Sequence, residues 1–337
     1  MMKIAIVIPC LNEKNYIERC LRSIADQREV DLSLVEVFVV DGGSADGTIE
    51  VLAACTDTFH FLRVLHNPLA VTPISLNLGL KAAKADFKMI LGAHSVLHDL
   101  HLSEVLSAFR QYPEAGCVGG MIKNVYENKV AAYIGMAMSS PFGVGDATFR
   151  TGGKDGYVDT VAFGVYRKEV FESVGYFDEE LARNQDDEFN YRLTNAGFRI
   201  FFTNRIVSSY YVRGSIQKLF KQYFQYGYWK VFVNKKHGVV TSIRQLVPLF
   251  FVVYLLICAL LWIVPMPIYI SYSFIPLYFL GALYFAVKKT NNPTQIVKVI
   301  QVFFILHFSY GMGYLKGIKD FILLNRKPRQ KHVELSR

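Results

Sequence analysis

The sequence predicts an α/β domain with a mostly parallel sheet, followed by apolar helices that belong in a membrane. Two observations predict this class. In residues 1–211, apolar β-rich runs alternate with helical patterns, which is typical of a parallel sheet covered by helices on both faces. Residues 246–287, in contrast, contain no charged side chain. A stretch of that length is enough for two bilayer crossings of about 20 residues each.

The elements of the α/β domain follow in order from their patterns. "KIAIVIP" predicts a buried strand, and the helix after it carries apolar side chains at helical spacing, namely Ile17, Cys20, Leu21 and Ile24. "VEVFVVD" predicts a second strand, and the turn "GGSADGT" and the helix "IEVLAAC" follow it. "FHFLRVLHN" predicts a third strand, "ISLNLGLKAAKA" a helix and "DFKMILGAH" a fourth strand.

Distinctive residues follow these strands at one edge of the predicted sheet. Ligands of such sheets bind beyond the carboxyl ends of the strands, where Pro9, Asn12, Glu13, Asp41 and His94 lie. A dinucleotide oxidoreductase would use the same edge, but the first turn, "PCLNE", lacks the G-x-G-x-x-G that lets a pyrophosphate approach the backbone. An acid that closes the second strand suits a ribose or a base edge, so we expect a nucleotide other than NAD.

Positive charge flanks the uncharged stretch and does not cover the α/β domain. Residues 212–245 carry seven Lys or Arg and no acid, and residues 288–337 carry ten and two acids. Residues 1–211 carry 20 Lys or Arg against 26 acids. The formal charge of +9 therefore indicates a membrane protein and not a nucleic-acid-binding one. Basic flanks predict that both ends of the stretch face the cytoplasm, with helices at about 246–264 and 266–287 joined by a short external "PMP" turn.

A third apolar segment, residues 296–314, is interrupted by Lys298, Gln301 and His307. It either spans the membrane or lies at the interface as an amphipathic helix, so residues 246–315 hold two to three helices. A basic and aromatic interfacial segment at 212–245 precedes them, and a basic tail at 316–337 follows. Five cysteines without C-x-x-C spacing fit reduced thiols in a cytosolic domain. We expect a multi-pass protein of the inner cell membrane with its α/β domain in the cytoplasm.

A run of acids opens a predicted helix in "RNQDDEFNYRL", residues 183–193. Taken alone, this is an ordinary helix start, because acids in a first turn complement the macrodipole and Asn184 can cap. Phe189 and Leu193 then give an apolar stripe, and Gly197 is a stop signal. A catalytic role for one of the carboxylates therefore needs support from the rest of the sequence.

Five motifs, taken together and in order, resemble the inverting family 2 glycosyltransferases of the GT-A fold. They are "IVIPCLNE", "VVDGGSADGT", "SLNLGLKAA", "FGVYRKEVFESVGYFDEEL" and "NQDDEFNYRL", within about residues 3–230. "SSPFGVGDATFR" and "QYFQYGYWK", followed by apolar helices, are similar to the membrane-associated branch that makes succinoglycan-type exopolysaccharides. The resemblance implies transfer of a sugar from a nucleotide diphosphate donor, expected to be UDP-linked, to a lipid-linked saccharide. It implies a place in surface-polysaccharide assembly, with other assembly proteins as possible partners.

The resemblance also implies roles for individual residues. Those expected to bind the nucleotide sugar are Pro9, Asn12, Glu13, Asp41, Gly43 and Asn77. Asp186 matches the second acid of the family's E-D motif, with Gln185 in place of Glu, and is expected to be the general base on the acceptor hydroxyl. In the segment before the membrane helices, the resemblance implies contacts with the saccharide acceptor by Gln222, Trp229 and Lys230. An interfacial belt of aromatic and basic anchors explains that segment equally well.

The fourth strand departs from the family pattern at the metal site. The family closes this strand with D-x-D, or D-A-H in this branch, to hold a divalent ion on the sugar diphosphate, whereas "LGAHS" has Gly92 at the first position. Mg²⁺ normally needs one or two carboxylates, and His94 suits Mn²⁺ better. A divalent cation, Mn²⁺ or Mg²⁺, with His94 as a ligand is one expectation. Neutralisation of the diphosphate by Lys or Arg is a second, and impaired donor chemistry is a third.

Two rival functions remain open. Gly92 favours a non-catalytic, membrane-bound protein of the same fold that binds a nucleotide sugar or acts as a scaffold. A processive polysaccharide synthase is disfavoured, because "QYFQYGYWK" lacks the Q-x-x-R-W pattern and few helices are available for a translocation channel.

Overall fold

The computed structural model describes residues 2–212, 214–241, 243–263 and 274–328. The chain divides into two compact units, Met1–Asn124 with Ala147–Tyr211 and Val125–Asp146 with Val212–Arg337. Residues 125–146 lie within the predicted α/β domain of residues 1–211, but in the structure they belong to the second unit.

The strands belong mostly to the first unit. They are β1 (Ile4–Cys10), β2 (Val35–Asp41), β3 (Leu62–His66), β4 (Phe87–Ile90), β5 (Ser95–Leu97), β6 (Ala115–Val125), β7 (Gly156–Val158), β8 (Ala162–Arg167) and β9 (Arg199–Tyr211). Within the described residues these nine strands form one sheet in the order β3-β2-β1-β4-β8-β6-β9-β5, with β7 paired to β9.

The sheet has a parallel half and an antiparallel half. β1 pairs with β2 and β4, and β2 with β3, all in parallel, as the sequence predicts. β8 runs antiparallel to β4 and β6, and β9 runs antiparallel to β5 and β7. The expectation of a mostly parallel sheet is therefore corrected to a mixed sheet. Antiparallel strands need no helical crossover, so the βαβ alternation does not show them in the sequence.

The helices are introduced here in chain order. They are α1 (Ile17–Ala25), α2 (Thr48–Thr58), α3 (Thr72–Ala82), α4 (His101–Gln111), α5 (Lys129–Met138), α6 (Pro141–Val144), α7 (Thr148–Thr151), α8 (Lys168–Val174), α9 (Gln185–Asn195), α10 (Ile216–His237), α11 (Val247–Ile263), α12 (Phe274–Val287) and α13 (Pro293–Gly317). Short 3₁₀ turns occupy Leu32–Leu34 and Ile243–Leu246, and α13 continues into a π-helical segment at Ile318–Leu323.

The core of the first unit lies on both faces of the sheet. Ile6 and Val37 belong to one apolar cluster, which also receives the predicted helical stripe of α1, and Val7 and Val40 belong to the cluster on the other face. Strands that are buried on both faces carry mostly apolar side chains, as β1 and β2 show. In β2 the exceptions are the half-buried Glu36 and the terminal Asp41. α3 lies so close to β1 that a Cβ on Gly79 would come within 2.4 Å of the Val7 side chain.

The second unit holds two helices in the described residues that are long and apolar enough to cross a membrane, Ile243–Leu261 and Pro293–Leu323. The predicted third segment, 296–314, is therefore one of these two candidates. The predicted "PMP" turn and the end of the basic tail lie outside the described residues. α10 and α13 pack closely, since a Cβ on Gly227 would lie 2.0 Å from the Tyr310 carbonyl oxygen. Small residues allow such close helix contacts in membranes.

Residues 125–146 join the second unit because their side chains pack on its helices. The Phe142 ring lies 5.0 Å from the Phe303 ring and 5.6 Å from the Phe285 ring, measured between centroids. The carbonyl oxygen of Phe142 is also 2.8 Å from Nε2 of His307 in α13. These contacts involve α6, which a sequence pattern of four residues does not predict.

Candidate functional site

The turns that follow β1 and β2 are joined by hydrogen bonds. Asn12 adopts a left-handed conformation with φ of 55°. Its backbone N–H donates to Ser44 Oγ at 2.8 Å, and its Oδ1 accepts from the Ala45 N–H at 2.9 Å. The Glu13 N–H donates to Thr48 Oγ1 at 2.9 Å. Two turns whose bonded residues are 32 to 35 positions apart in sequence therefore form one preorganised edge.

Asp41 lies at this edge and is almost fully buried, with 3 % of its surface exposed. Its Oδ2 accepts from the Gly43 N–H at 2.8 Å and the Ser44 N–H at 3.0 Å, and its Oδ1 accepts from Ser44 Oγ at 2.5 Å. Gly43 has φ of 84°, a conformation that favours glycine. Cys10 pairs with Asp41 in the β1–β2 register, so Pro9 and Asp41 lie at the same edge. Three accepted bonds leave about one of the four lone-pair positions of this carboxylate for a ligand.

Asn77 has a structural set of partners. Its Nδ2 donates to the Phe177 carbonyl at 2.8 Å and to Glu179 Oε1 at 2.9 Å, and its Oδ1 accepts from the Phe177 N–H at 3.0 Å. The amide therefore holds the segment that leads into α9. Nucleotide binding by Asn77 stays a prediction.

Gly92 and His94 follow β4, as predicted. Nδ1 of His94 lies 3.3 Å from Glu13 Oε1, and the His94 ring lies 5.3 Å from the Tyr210 ring. A carboxylate beside one ring nitrogen favours the tautomer with its proton on that nitrogen, which leaves Nε2 as an acceptor or a metal ligand. A Cβ on Gly92 would lie 3.5 Å from Cε1 of Phe163, whose φ of 47° is unusual for a bulky residue.

The side chains at this point fit a divalent ion only in part. Among the described residues, no three His, Cys, Asp or Glu side chains come together as a metal site. His94 and Glu13 offer neighbouring ligand atoms after β4 and β1, and Gly92 removes the carboxylate that the family pattern places beside His94. Hard divalent ions prefer several oxygen ligands, so the protein alone does not supply a complete set.

α9 is firmly anchored to the first unit. Phe189 is fully buried, and its ring lies 4.6 Å from the Phe177 ring. Asn190 accepts from the Tyr166 hydroxyl at 3.1 Å and donates to Thr160 Oγ1 at 3.2 Å. Thr160 precedes β8, whose first residues lie beside Gly92 because β8 runs antiparallel to β4. Asn190 therefore fixes α9 to β8 and to the segment just before it.

Glu188 and Asp186, two of the three acids in the first turn of α9, have different environments. Glu188 is buried and forms a two-pronged ion pair with Arg192, with distances of 2.7 and 2.9 Å. Arg192 also donates to the carbonyl oxygens of Tyr176, at 2.8 Å, and Val174. Asp186 is exposed in the first turn. The predicted helix start is confirmed, but the Asn184 side chain does not form the expected capping hydrogen bond. Glu188 serves the packing of the helix.

Two further observations concern the neighbourhood of Asp186. Burial raises the pKa of the Tyr166 hydroxyl well above its usual value, and negative charge on Cys117 and Asp186 adds to the effect. Asp186 therefore lies close enough to Tyr166 of β8 for its charge to act on that hydroxyl. Oε1 of the preceding Gln185 is buried and accepts no hydrogen bond from the residues that the structure describes.

The predicted acceptor residues lie in α10 of the second unit. Trp229 and Lys230 are 0 % and 1 % exposed, and Gln222 is 4 % exposed, with its Nε2 donating to the Tyr226 hydroxyl at 2.7 Å. Packing inside the second unit is thus the role that is observed for them. Contact with an acceptor stays a prediction.

Residues 5–175 match the family described as glycosyl transferase family 2. This match spans half of the chain and includes the two joined turns, His94 and strand β8. The chain belongs to glycosyl transferase family 2. It is a glycosyltransferase, and its mixed α/β sheet is that of the GT-A fold.

Curated relatives extend the similarity of this glycosyltransferase beyond the matched domain. One is the "dolichyl N-acetyl-alpha-D-glucosaminyl phosphate 3-beta-D-2,3-diacetamido-2,3-dideoxy-beta-D-glucuronosyltransferase" of Methanococcus voltae, 30 % identical over 94 % of this chain and 97 % of the relative. Another is the succinoglycan biosynthesis protein ExoA of Rhizobium meliloti (strain 1021). It is 29 % identical over 72 % of this chain and 74 % of the relative.

Solved structures share the fold of the glycosyltransferase. The mannosyltransferase PcManGT of Pyrobaculum calidifontis, in complex with GDP-Man and Mn²⁺, aligns with a TM-score of 0.60 and 14 % identity, over 94 % of this chain and 87 % of that one. S. aureus TarS 1-349 in complex with UDP aligns with a TM-score of 0.53 and 16 % identity, over 94 % and 92 %. At these identities the likeness concerns the fold alone.

The sequence did not predict a role for several residues of the site. Ser44 and Thr48 join the two turns, and the spacing D-G-G-S-A-D-G-T contains them as possible turn-forming side chains. Tyr210 contacts His94 from β9, more than 100 residues away, and no local pattern indicates that contact. Arg150 lies in a motif that supported the resemblance, yet no role followed from the sequence.

Proposed function

We propose that this glycosyltransferase moves a sugar from a nucleotide diphosphate donor, expected to be UDP-linked, to a lipid-linked saccharide, with inversion at the anomeric carbon. The names of two relatives support the acceptor class. One is named as a transferase to a dolichyl-phosphate-linked sugar, and the other as a succinoglycan biosynthesis protein. Attachment by the apolar helices and a catalytic unit in the cytoplasm belong to the same proposal. The distribution of basic residues supports them.

The observation that carries the proposal is the exposed carboxylate of Asp186 on an anchored helix start. In the proposed step Asp186 takes the proton of the acceptor hydroxyl while that oxygen bonds to C1 of the donor sugar. The bond between C1 and the β-phosphate oxygen breaks, and its electron pair stays on the phosphate. A positioned general base contributes about 10²–10⁴-fold to such a rate. The buried Oε1 of Gln185, next in sequence, suits a hydroxyl donor from a bound sugar.

The donor would bind at the edge formed by the two joined turns. Asp41 and Asn12 are the proposed contacts to the nucleoside, together with Pro9, Glu13 and Gly43. A divalent ion is retained in the proposal only with His94 and the oxygens of the diphosphate as ligands. When bound, such an ion would stabilise negative charge on the leaving diphosphate.

A decisive test uses the full chain in detergent or lipid with UDP- and GDP-sugars and a membrane lipid extract as the acceptor source. Asp186→Asn is expected to lower transfer at least 100-fold while donor affinity stays within about threefold, because the amide cannot accept the proton. Asp187→Asn, one residue away, is the matched control and is expected to keep most activity. If Asp186→Asn transfers sugar as well as the parent protein does, the assignment of the base is wrong.

The same assay separates the rival functions. A scaffold protein would bind the nucleotide sugar and transfer none, and this rival is favoured by the incomplete metal site. A processive synthase would give products that lengthen with time from one acceptor. We expect a single added sugar per acceptor.

A further inference from the structure

We propose that Arg150 binds the diphosphate of the donor and supplies the positive charge that an incomplete metal site leaves missing. This inference rests on the proposed function, because it assumes a nucleotide diphosphate at the edge that bears His94. It adds to that function a residue from outside the motifs that hold the expected site residues.

Arg150 has a guanidinium group without a protein partner for one of its nitrogens. Nη1 is buried and forms no hydrogen bond within the described part of the chain. Arg167 of the same unit shows the usual arrangement, since it donates to the carbonyl oxygens of Ala115 and Phe109 at 2.9 and 3.1 Å. A buried donor that is left unsatisfied is costly, and more so when it carries a charge. Such a group is expected where a ligand completes it.

Aromatic rings hold this guanidinium in place. Its central carbon lies 5.4 Å from the Phe149 ring centroid and 5.6 Å from the Tyr210 ring centroid. Cation–π contacts of this kind orient an arginine without using its hydrogen-bond donors. These ring contacts leave Nη1 without a protein acceptor among the described residues, and a phosphate oxygen that reaches it would have to displace part of the side-chain cover over this nitrogen.

Tyr210 connects Arg150 to the predicted metal position. The Tyr210 ring lies 5.3 Å from the His94 ring, and Tyr210 pairs with Ser95 in the β5–β9 register, one residue after His94. Arg150 and His94 thus contact the same aromatic ring. A permanent cation therefore lies against the same ring as the residue at the family's ion position.

The chemistry of the leaving group fits a guanidinium. When the bond from C1 to the β-phosphate oxygen breaks, the nucleoside diphosphate gains negative charge, and a preorganised cation stabilises that charge most in the transition state. The planar fork of arginine matches two phosphate oxygens at once. With Gly92 in place of an acid, the protein's own positive charge replaces part of what an acid-bound ion supplies.

The test compares binding of a nucleotide with binding of its nucleoside, so that the phosphate contribution is isolated. Affinities of the full chain for UDP, GDP, uridine and guanosine are measured by calorimetry, in EDTA and in Mn²⁺. Arg150→Met keeps an apolar chain of similar length over Tyr210 and removes the charge. Arg110→Met, at an exposed arginine in the last turn of α4, is the matched control.

We expect Arg150→Met to weaken binding of the preferred nucleotide at least tenfold in EDTA, while the matching nucleoside binds within twofold of the parent protein. Arg150→Lys should bind the nucleotide with an affinity between those of the parent protein and Arg150→Met. Arg110→Met should change neither the nucleotide nor the nucleoside affinity. Unchanged nucleotide affinity in Arg150→Met would overturn the inference. An equal loss for nucleotide and nucleoside would also overturn it, since Arg150 would then act only through folding. If the parent protein binds no nucleotide at all, the proposed function itself fails.

Discussion

Removal of the arginine that pairs with Glu188 is expected to loosen the helix that carries Asp186. Arg192→Met leaves Glu188, whose side chain is 4 % exposed, as a buried charge without its bidentate partner. Breaking a buried ion pair by removing one partner costs about 3–5 kcal/mol. The carbonyl oxygens of Val174 and Tyr176 lose a donor as well. We therefore expect local opening of α9 to become easier by about 3–5 kcal/mol.

Hydrogen exchange of peptides that cover α9 measures this change in local opening. Asp186 lies on α9, so loosening this helix should slow sugar transfer. The proposed donor site lies in the turns after β1 and β2, so the KM for the donor should change little. The double variant Glu188→Leu/Arg192→Met is the internal control. It contains no buried charge, so it should recover most of the loss and retain a deficit of about 1–3 kcal/mol from the two carbonyl groups. Equal exchange in the parent protein and Arg192→Met, or a double variant that is worse than Arg192→Met, would refute this reasoning.

Two further predictions concern the metal position and pH. Gly92→Asp should raise the rate with Mg²⁺ relative to Mn²⁺, because a carboxylate restores a hard ligand. The substitution fits with small shifts, since among the described residues a Cβ there would lie 3.3 Å from Ser95 Oγ and 3.5 Å from Phe163. An unchanged ratio of the two rates would argue against an ion at this position. Burial lowers the pKa of His101 to about 4 from 6.5, so the unfolded chain binds the proton first as pH falls. Stability should drop by about 3 kcal/mol between pH 6.5 and 4 and stay level above this range. Denaturant titrations at several pH values measure this change. The free energy of unfolding of His101→Leu should depend less steeply on pH between 6.5 and 4 than that of the parent protein, and an equal dependence would contradict a lowered pKa of His101.

The sequence predicts best what local patterns encode. The first four strands, α1 with its buried stripe and the helix start at Asp186 are all present where their patterns place them. These segments are buried on both faces or on one helical stripe, so composition and period identify them. The positions of the edge residues after β1, β2 and β4 follow from the parallel order of those strands.

Contacts between distant residues explain what the sequence does not predict. Asn77 bonds to Phe177, which is 100 residues away, and that partner is invisible to any local pattern. The antiparallel half of the sheet and the position of residues 125–146 in the second unit depend in the same way on tertiary packing. That Nη1 of Arg150 has no partner among the described residues is likewise visible only in the three-dimensional structure.

A structure of the Asp186→Asn variant with an intact donor sugar nucleotide tests the central assignment most directly. We predict that the nucleoside lies against Asp41 and Asn12, with the diphosphate between His94 and Arg150. The side chain at position 186 should then face C1 of the sugar from the side opposite the leaving phosphate. A donor bound elsewhere on the first unit, or a residue 186 on the same side as the phosphate, would contradict the assignment of Asp186 as the base of an inverting transfer.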